Sequence, residues 1–122
     1  GELASRATSP APSQVERFTL AGHQDLAGAH ATVIDLESDG VALVDFTGLP
    51  ALPSGRVYEV WLIAPGGRAD PATVFVPDPN GSKVVLVKQP LGGYVEMAVT
   101  SEVGPAGTQS PTQQPQLYGN LA

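Results

Sequence analysis

The sequence predicts an all-β protein, an antiparallel β-sandwich of the immunoglobulin-like type with seven to eight strands. The 14 glycines and 12 prolines among 122 residues suit short strands joined by tight turns. Apolar runs recur at short intervals between turn sequences, as in sandwich domains. No stretch shows the apolar spacing of a helix that packs on a core. A small β-barrel is the alternative architecture.

The chain divides into a linker and one domain. Residues 1–14 are predicted to be a flexible, juxtamembrane-type linker, because they are small, polar and proline-bearing, with nothing periodic to bury. Residues 15–122 are predicted to form the β-sandwich domain. A domain of that length buries a sufficient core without a metal or a disulfide.

Turn chemistry predicts where the strands pair. The runs 29–36 and 41–47 flank Gly40, which supplies the positive φ of a tight hairpin. Asn80-Gly81 predicts a second hairpin in which 72–76 pairs with 82–88. The remaining strands are predicted at 15–20, 56–64, 94–102 and 117–121. The glycine- and proline-rich loop 104–115 has a length that is usual for flexible or functional loops.

The segment from Arg56 to Gly67 contains the predicted central strand and the Pro-Gly-Gly turn that ends it. It holds the longest unbroken apolar run, which is far shorter than the about 20 residues that cross a membrane and suits a strand buried on both faces. Trp61, the one tryptophan, is expected to anchor the core. Glu59 and Asp45 also lie inside apolar strands, and both are expected to point outward.

Composition excludes several classes of function. The net charge of −6, from 12 acidic against 6 basic residues, argues against binding to nucleic acid or to an anionic membrane surface. The absence of cysteine excludes disulfides, thiolate catalysis and cysteine-ligated zinc. The residues contain no recognisable signal peptide or membrane span, and the opening Gly1 is typical of a fragment of a longer protein.

No catalytic, cofactor-binding or metal-binding residues are predicted. His23 and His30 are the only histidines, and they are expected to be exposed, since a zinc site needs three or four converging ligands. The acidic residues Asp35, Glu37 and Asp39 are read as a solvated turn, with a weak calcium site as the alternative. Neither histidine has the context of a serine triad.

Tyr94, which follows Gly93, is expected to donate its hydroxyl to a nearby backbone carbonyl, as a tyrosine corner does. That role is structural rather than catalytic.

The order of several short motifs resembles the C-terminal domain of the anti-sigma-K factor family. The first half of the resemblance consists of Tyr58-Glu-Val-Trp-Leu-Ile, Pro65-Gly-Gly, Val74-Phe75 and Pro77-Asp-Pro-Asn-Gly81. The second half consists of Gly93-Tyr94, Ala98-Val-Thr100, Glu102 and a Gly/Ser/Pro/Thr-rich stretch that ends at Leu117-Tyr-Gly119. Two departures, Ala72-Thr73 before the Val-Phe pair and the segment after Ser101, bear on the conformation of loop 102–116.

The resemblance implies a bacterial membrane protein of three parts. A cytoplasmic domain outside this chain would hold an extracytoplasmic-function sigma factor inactive, and a transmembrane helix outside this chain would follow it. The present domain would lie on the extracytoplasmic side of the membrane. Site-1-type and intramembrane proteases would release the sigma factor, with residues 1–14 as an exposed first cleavage site. A secreted adhesion or carbohydrate-binding sandwich is the alternative.

Substitution of the central tryptophan tests the core assignment. Trp61→Ala is expected to lower the free energy of unfolding by about 3–5 kcal/mol, because it removes a large buried side chain. Urea denaturation measures the change, and a loss below about 1 kcal/mol would contradict burial of Trp61.

Overall fold

The computed structural model describes residues 15–121, which form eight antiparallel strands with two short 3₁₀ turns, Gln24–Leu26 and Glu37–Asp39. The strands are β1 (Val15–Gly22), β2 (His30–Leu36), β3 (Val41–Thr47), β4 (Arg56–Ile63), β5 (Ala69–Phe75), β6 (Lys83–Val87), β7 (Glu96–Val103) and β8 (Leu117–Asn120). The prediction of an all-β antiparallel fold with seven to eight strands is confirmed. The predicted linker, residues 1–14, lies outside the described residues.

All eight of these strands belong to one hydrogen-bonded sheet in the order β5-β4-β7-β8-β1-β2-β3-β6. The sheet folds over on itself until its edge strands, β5 and β6, contact each other without forming a ladder. The short strand β8 lies between β7 and β1 and joins the two halves. The result is one nearly closed antiparallel sheet and not two separate sheets, so the architecture lies between the predicted sandwich and the barrel alternative.

One of the two predicted hairpins is confirmed and the other is wrong. Strands β2 and β3 pair in full register around Gly40, whose φ is 67°. The Asn80-Gly81 turn also forms, with Gly81 at φ 83°, but β6 pairs with β3 and not with β5. The backbone N–H of Leu49 donates to the carbonyl of Gly81 (2.9 Å), which attaches the turn to the end of β3. Turn residues therefore set where the chain reverses, whereas burial decides which strand becomes its neighbour.

Strand β5 begins at Ala69, three residues before the predicted strand 72–76. Pro71 is tolerated there because β5 is an edge strand with a register shift, in which Trp61 pairs with Pro71 and Val60 pairs with Thr73. The extra residue between them, Ala72, forms a bulge.

The core fills the space enclosed by the folded sheet. Its fully buried members include Leu20, Val33, Val44, Phe46, Val60, Leu62, Met97, Val99 and Leu117. In β4 the even-numbered residues Tyr58, Val60 and Leu62 face this core. The intervening Glu59 and Trp61 face away from it and are nevertheless buried, so this strand is covered on both faces, as predicted.

Close approach of two strands requires a glycine in β8. A Cβ at position 119 would lie 2.1 Å from the carbonyl oxygen of Thr19 in β1. Gly119→Ala is therefore expected to force the strands apart and to lower the free energy of unfolding by about 1–3 kcal/mol. Gly28→Ala is the matched control, because a Cβ there meets nothing within 4 Å. Equal urea-unfolding midpoints for the two variants would contradict the need for a glycine at position 119.

Candidate functional site

A row of polar and aromatic side chains occupies the outer face of β4 and β7. In this ladder Glu59 lies opposite Thr100, Trp61 opposite Ala98, and Val57 opposite Glu102. Side chains alternate along a strand, so Glu59, Trp61, Thr100 and Glu102 all point away from the core. The loop 104–116 lies over this face, and these four residues are at most 3% exposed.

Glu102 is the centre of the hydrogen bonding on this face. Its Oε2 accepts bonds from the hydroxyl of Thr100 (2.6 Å) and from the backbone N–H of Thr112 (3.1 Å). Its Oε1 accepts a bond from the hydroxyl of Thr112 (2.6 Å). The indole N–H of Trp61 in turn donates to Oγ1 of Thr100 (2.8 Å). A continuous chain of bonds therefore runs from the central tryptophan to the loop.

Glu59 holds the other half of the loop. Its Oε1 accepts a bond from the backbone N–H of Thr108 (2.8 Å), and the Thr108 hydroxyl donates to the carbonyl of Ser110 (2.9 Å). Gly107 has a φ of 79°, and a Cβ there would lie 2.5 Å from Oε1 of Glu59. A glycine is needed both for this backbone conformation and for this contact. The set of Glu59, Glu102, Thr100, Thr108 and Thr112 is called the carboxylate clasp below.

The two carboxyl groups of the clasp differ in acidity. Burial raises the pKa of Glu59 above its ordinary 4.5, against the backbone hydrogen bond from Thr108, and the charge of Glu102 raises it further. Burial also acts to raise the pKa of Glu102, but the hydrogen bonds from Thr100 and Thr112 outweigh it and lower the pKa below 4.5. Glu59 is therefore the first of the pair to take up a proton as the pH falls.

These directions fix how the clasp responds to pH. Ionisation of Glu59 opposes folding, so its contribution to stability rises as the pH falls through its raised pKa. The contribution of Glu102 is complete above about 4.5 and is lost as the pH falls through its lowered pKa. The clasp thus tolerates mild acid and weakens once Glu102 is protonated.

A cavity of about 290 Å³ opens beside the clasp. Its lining includes the glutamines of the loop end, Gln113, Gln114 and Gln116, and the segment 50–52. The hydroxyl of Tyr58 donates to the carbonyl of Pro50 (2.8 Å), which holds the segment 50–52 in place. The cavity combines amide groups with apolar surface, as small-ligand sites do.

The two histidines do not come together. His23 stacks on the ring of Tyr118 with centroids 4.4 Å apart, and Nε2 of His30 lies 3.0 Å from the hydroxyl of Thr47. Among residues 15–121 there is no group of three or more histidine or acidic side chains placed to hold a metal ion.

The acidic hairpin is not a convergent cluster either. Asp35 points inward and is 7% exposed, whereas Glu37 and Asp39 lie in the exposed 3₁₀ turn. Asp45 is exposed, as expected. The expectation that Glu59 is also solvent-facing is wrong: it does point away from the core, but loop 104–116 covers it.

The predicted backbone hydrogen bond of the Tyr94 hydroxyl is wrong. Tyr94 donates to the carboxylate of Asp70 (2.7 Å) and not to the backbone, while Tyr58 is the tyrosine that bonds a nearby carbonyl. Asp70 also accepts two bonds from the guanidinium of Arg68 (2.8 and 2.9 Å). The bonds from Arg68, and then the bond from Tyr94, lower the pKa of Asp70 to about 2.

Sequence reasoning missed the threonines of the clasp. The available signal was the alternation Glu59-x-Trp61 and Thr100-x-Glu102, which places polar groups on one face of two apolar strands. Nothing in the pattern indicated which loop would cover that face, since Thr108 and Thr112 lie in a stretch without periodicity.

The fold and the clasp define an antiparallel β domain whose buried carboxylates fasten a surface loop. The chain belongs to the family described as "Anti-sigma-K factor rskA, C-terminal", which it matches over residues 2–116. It is also 33% identical, over 95 residues, to a protein of Streptomyces griseus described as "Uncharacterized protein in phr 5'region". That alignment covers 77% of this chain and 38% of the relative, so the chain spans well under half of the relative's length.

No solved structure matches the chain. Between residues 15 and 121 no helix has the length and apolar character needed to cross a membrane.

Removal of the central carboxylate tests the clasp. Glu102→Ala leaves the buried hydroxyl of Thr100 and the donors of Thr112 without their acceptor, and we expect a loss of about 3 kcal/mol in the free energy of unfolding. Amide hydrogen exchange in 104–116 is expected to accelerate more than exchange in β2 and β3. Glu96→Ala is the control, because Glu96 lies on the same strand and makes no side-chain hydrogen bond within the described residues. Unchanged exchange in 104–116 would contradict the clasp.

Proposed function

We propose that the chain is the extracytoplasmic regulatory domain of a membrane-bound anti-sigma factor. The anti-sigma role comes with the family, and the match over residues 2–116 is the observation that carries the proposal. A cytoplasmic domain outside this chain would hold an extracytoplasmic-function sigma factor inactive, and a transmembrane helix would join the two domains. The greater length of the Streptomyces griseus relative leaves room for both parts.

Release of the sigma factor is proposed to follow regulated proteolysis. A site-1-type protease would cut outside the membrane, with the segment 1–14 as the proposed target, and an intramembrane protease would then cut the transmembrane helix. Proteases act on locally unfolded segments, so loosening of β1 would lengthen the accessible segment next to residues 1–14 and make cleavage there faster.

The clasp is the proposed point of control. Loop 104–116 leads directly into β8, which joins the two halves of the sheet through its pairing with β7 and β1. Opening of the clasp would release the start of β8. Strand β1 would then lose β8, which is one of its two neighbouring strands. Since β1 directly follows the segment 1–14, loosening would extend toward the proposed cleavage site.

One observation favours a second candidate, a carbohydrate-binding or adhesion module. The lining of the cavity beside the clasp includes three glutamines together with the apolar residues Leu26 and Leu52, and amide groups beside apolar surface suit the hydroxyls and the apolar face of a sugar. A glycan array with the 122-residue chain separates the candidates: specific saturable binding that requires Gln114 would favour the module.

A transcription assay in the native host tests the main proposal. Deletion of the complete gene is expected to raise transcription from promoters of the cognate sigma factor. In the full-length protein, Glu102→Ala is expected to raise the same reporter several-fold, while Glu96→Ala leaves it at the wild-type level. The rise is expected to vanish in a strain that lacks the intramembrane protease.

Two results would contradict parts of this proposal. A deletion that leaves the reporter unchanged would reject the anti-sigma role itself. A deletion that raises the reporter, together with a Glu102→Ala protein that does not, would keep the anti-sigma role and reject control through the clasp.

A further inference from the structure

A second cavity, of about 370 Å³, opens at the end of the sheet opposite the clasp. Its lining includes Glu16 near the start of β1, whereas the cavity beside the clasp includes Asp25, which follows the end of that strand. Three acidic residues, Glu16, Asp35 and Glu37, belong to its lining, and it is called the acidic cavity below. Its volume lies within the roughly 300–1,000 Å³ of small-ligand sites.

Asp35 is the unusual member of this lining. It lies in β2, faces the interior and is only 7% exposed, yet its carboxylate has no hydrogen-bond or ion-pair partner within residues 15–121. The other buried carboxylates of the domain, Glu59 and Glu102, both accept bonds from threonines. A buried carboxylate without a partner is costly and rare, so its side chain is placed for a group that is not part of these residues.

The described residues around Asp35 add negative charge and supply no compensating cation. Glu16 lies directly opposite it in the ladder of β1 and β2, an arrangement that destabilises like charges. Burial, and then the charge of Glu16, raise the pKa of Asp35. The pKa of Glu37 is also raised, by burial and then by the charges of Glu16 and Asp35. Lysine, arginine and histidine are absent from the described lining.

The rest of the cavity is apolar. Phe18, Leu91 and Leu121 contribute to it, together with the ring of Tyr94, whose hydroxyl is already engaged with Asp70. A hydrated metal ion is bound by oxygen ligands and gains nothing from an apolar surface. The described residues also do not offer three converging ligands. An aliphatic stem that carries a cationic head fits both parts of the cavity.

We propose that the acidic cavity binds an organic cation, a primary ammonium or guanidinium group on an aliphatic stem, with Asp35 as its counter-charge. The stem would lie against Phe18 and Leu91, and the head would receive the field of Glu16 and Glu37. Such a group occurs in free amines and in the lysine or arginine side chains of a peptide. The proposal goes beyond the anti-sigma role and does not depend on it.

An NMR titration of the 122-residue chain tests the site. The probes are cadaverine, the peptide acetyl-Gly-Lys-Gly-amide, pentanol as the neutral counterpart, and calcium chloride. Cadaverine or the peptide is expected to shift the amides of Asp35 and of residues 91–94 and to reach saturation, and the tighter of the two identifies the source of the cation. Pentanol and calcium are expected to leave these amides unchanged.

Two isosteric variants compare the loss of the buried charge with the loss of an exposed one. Asp35→Asn is expected to weaken binding by at least about tenfold, because it removes the buried counter-charge. Asp39→Asn is expected to stay within about twofold, because Asp39 lies in the exposed 3₁₀ turn outside the lining. Shifts that do not saturate, equal affinities for the two variants, or the same shifts with pentanol or calcium would overturn the proposal.

A thermal melt without any probe tests the unpartnered carboxylate separately. Asp35→Asn is expected to raise the melting temperature at neutral pH, because it removes an uncompensated charge from the interior. A lower melting temperature would show that Asp35 stabilises the fold through a partner of its own, and it would remove the basis of the proposed site.

Discussion

The hydrogen bonding of the buried Glu102 carboxylate is the interaction on which the outer half of the domain depends. A charged group at 0% exposure is stable only when its oxygens are satisfied, and here Thr100 and Thr112 supply three bonds. The same bonds fix the position of the loop 104–116, which then covers Trp61 and Glu59. Removal of the carboxylate would therefore affect a strand face, a loop and the start of β8 together.

The buried carboxylates of the described residues differ in their hydrogen bonding. Glu59 and Glu102 are bonded to a loop of the same chain, and they fasten one end of the sheet. Asp35, at the other end, is also buried but has no hydrogen-bond partner within the described residues. The first arrangement stabilises a closed structure, whereas the second leaves a charge that the proposed organic cation would compensate. In the proposed role, a domain that holds one end closed and leaves the other open to a ligand has a means of responding to its surroundings.

Sequence patterns predicted the strands well and their partners less well. Strand β3 is found at Val41–Thr47, as predicted, and Gly40 marks the first hairpin correctly. Asn80-Gly81 marks a real turn, yet β6 crosses to the far edge of the sheet to bury Val85 and Val87 beside β3. Of the clasp, the alternation that places Glu59 and Glu102 on one face was visible, but their burial was not, because it depends on a loop whose sequence has no periodicity.

The fold class, the positions of most strands and the family could be predicted from the residues alone, because alternation, turn residues and motif order are local properties of the chain. Folding of the sheet fixed the remaining features. It placed Thr108 and Thr112 on two carboxylates 49 and 10 residues away, and it set Glu16 opposite Asp35 in neighbouring strands. Such contacts follow from which faces the folded sheet buries, and the cost of burying a charge depends on partners that are distant in sequence.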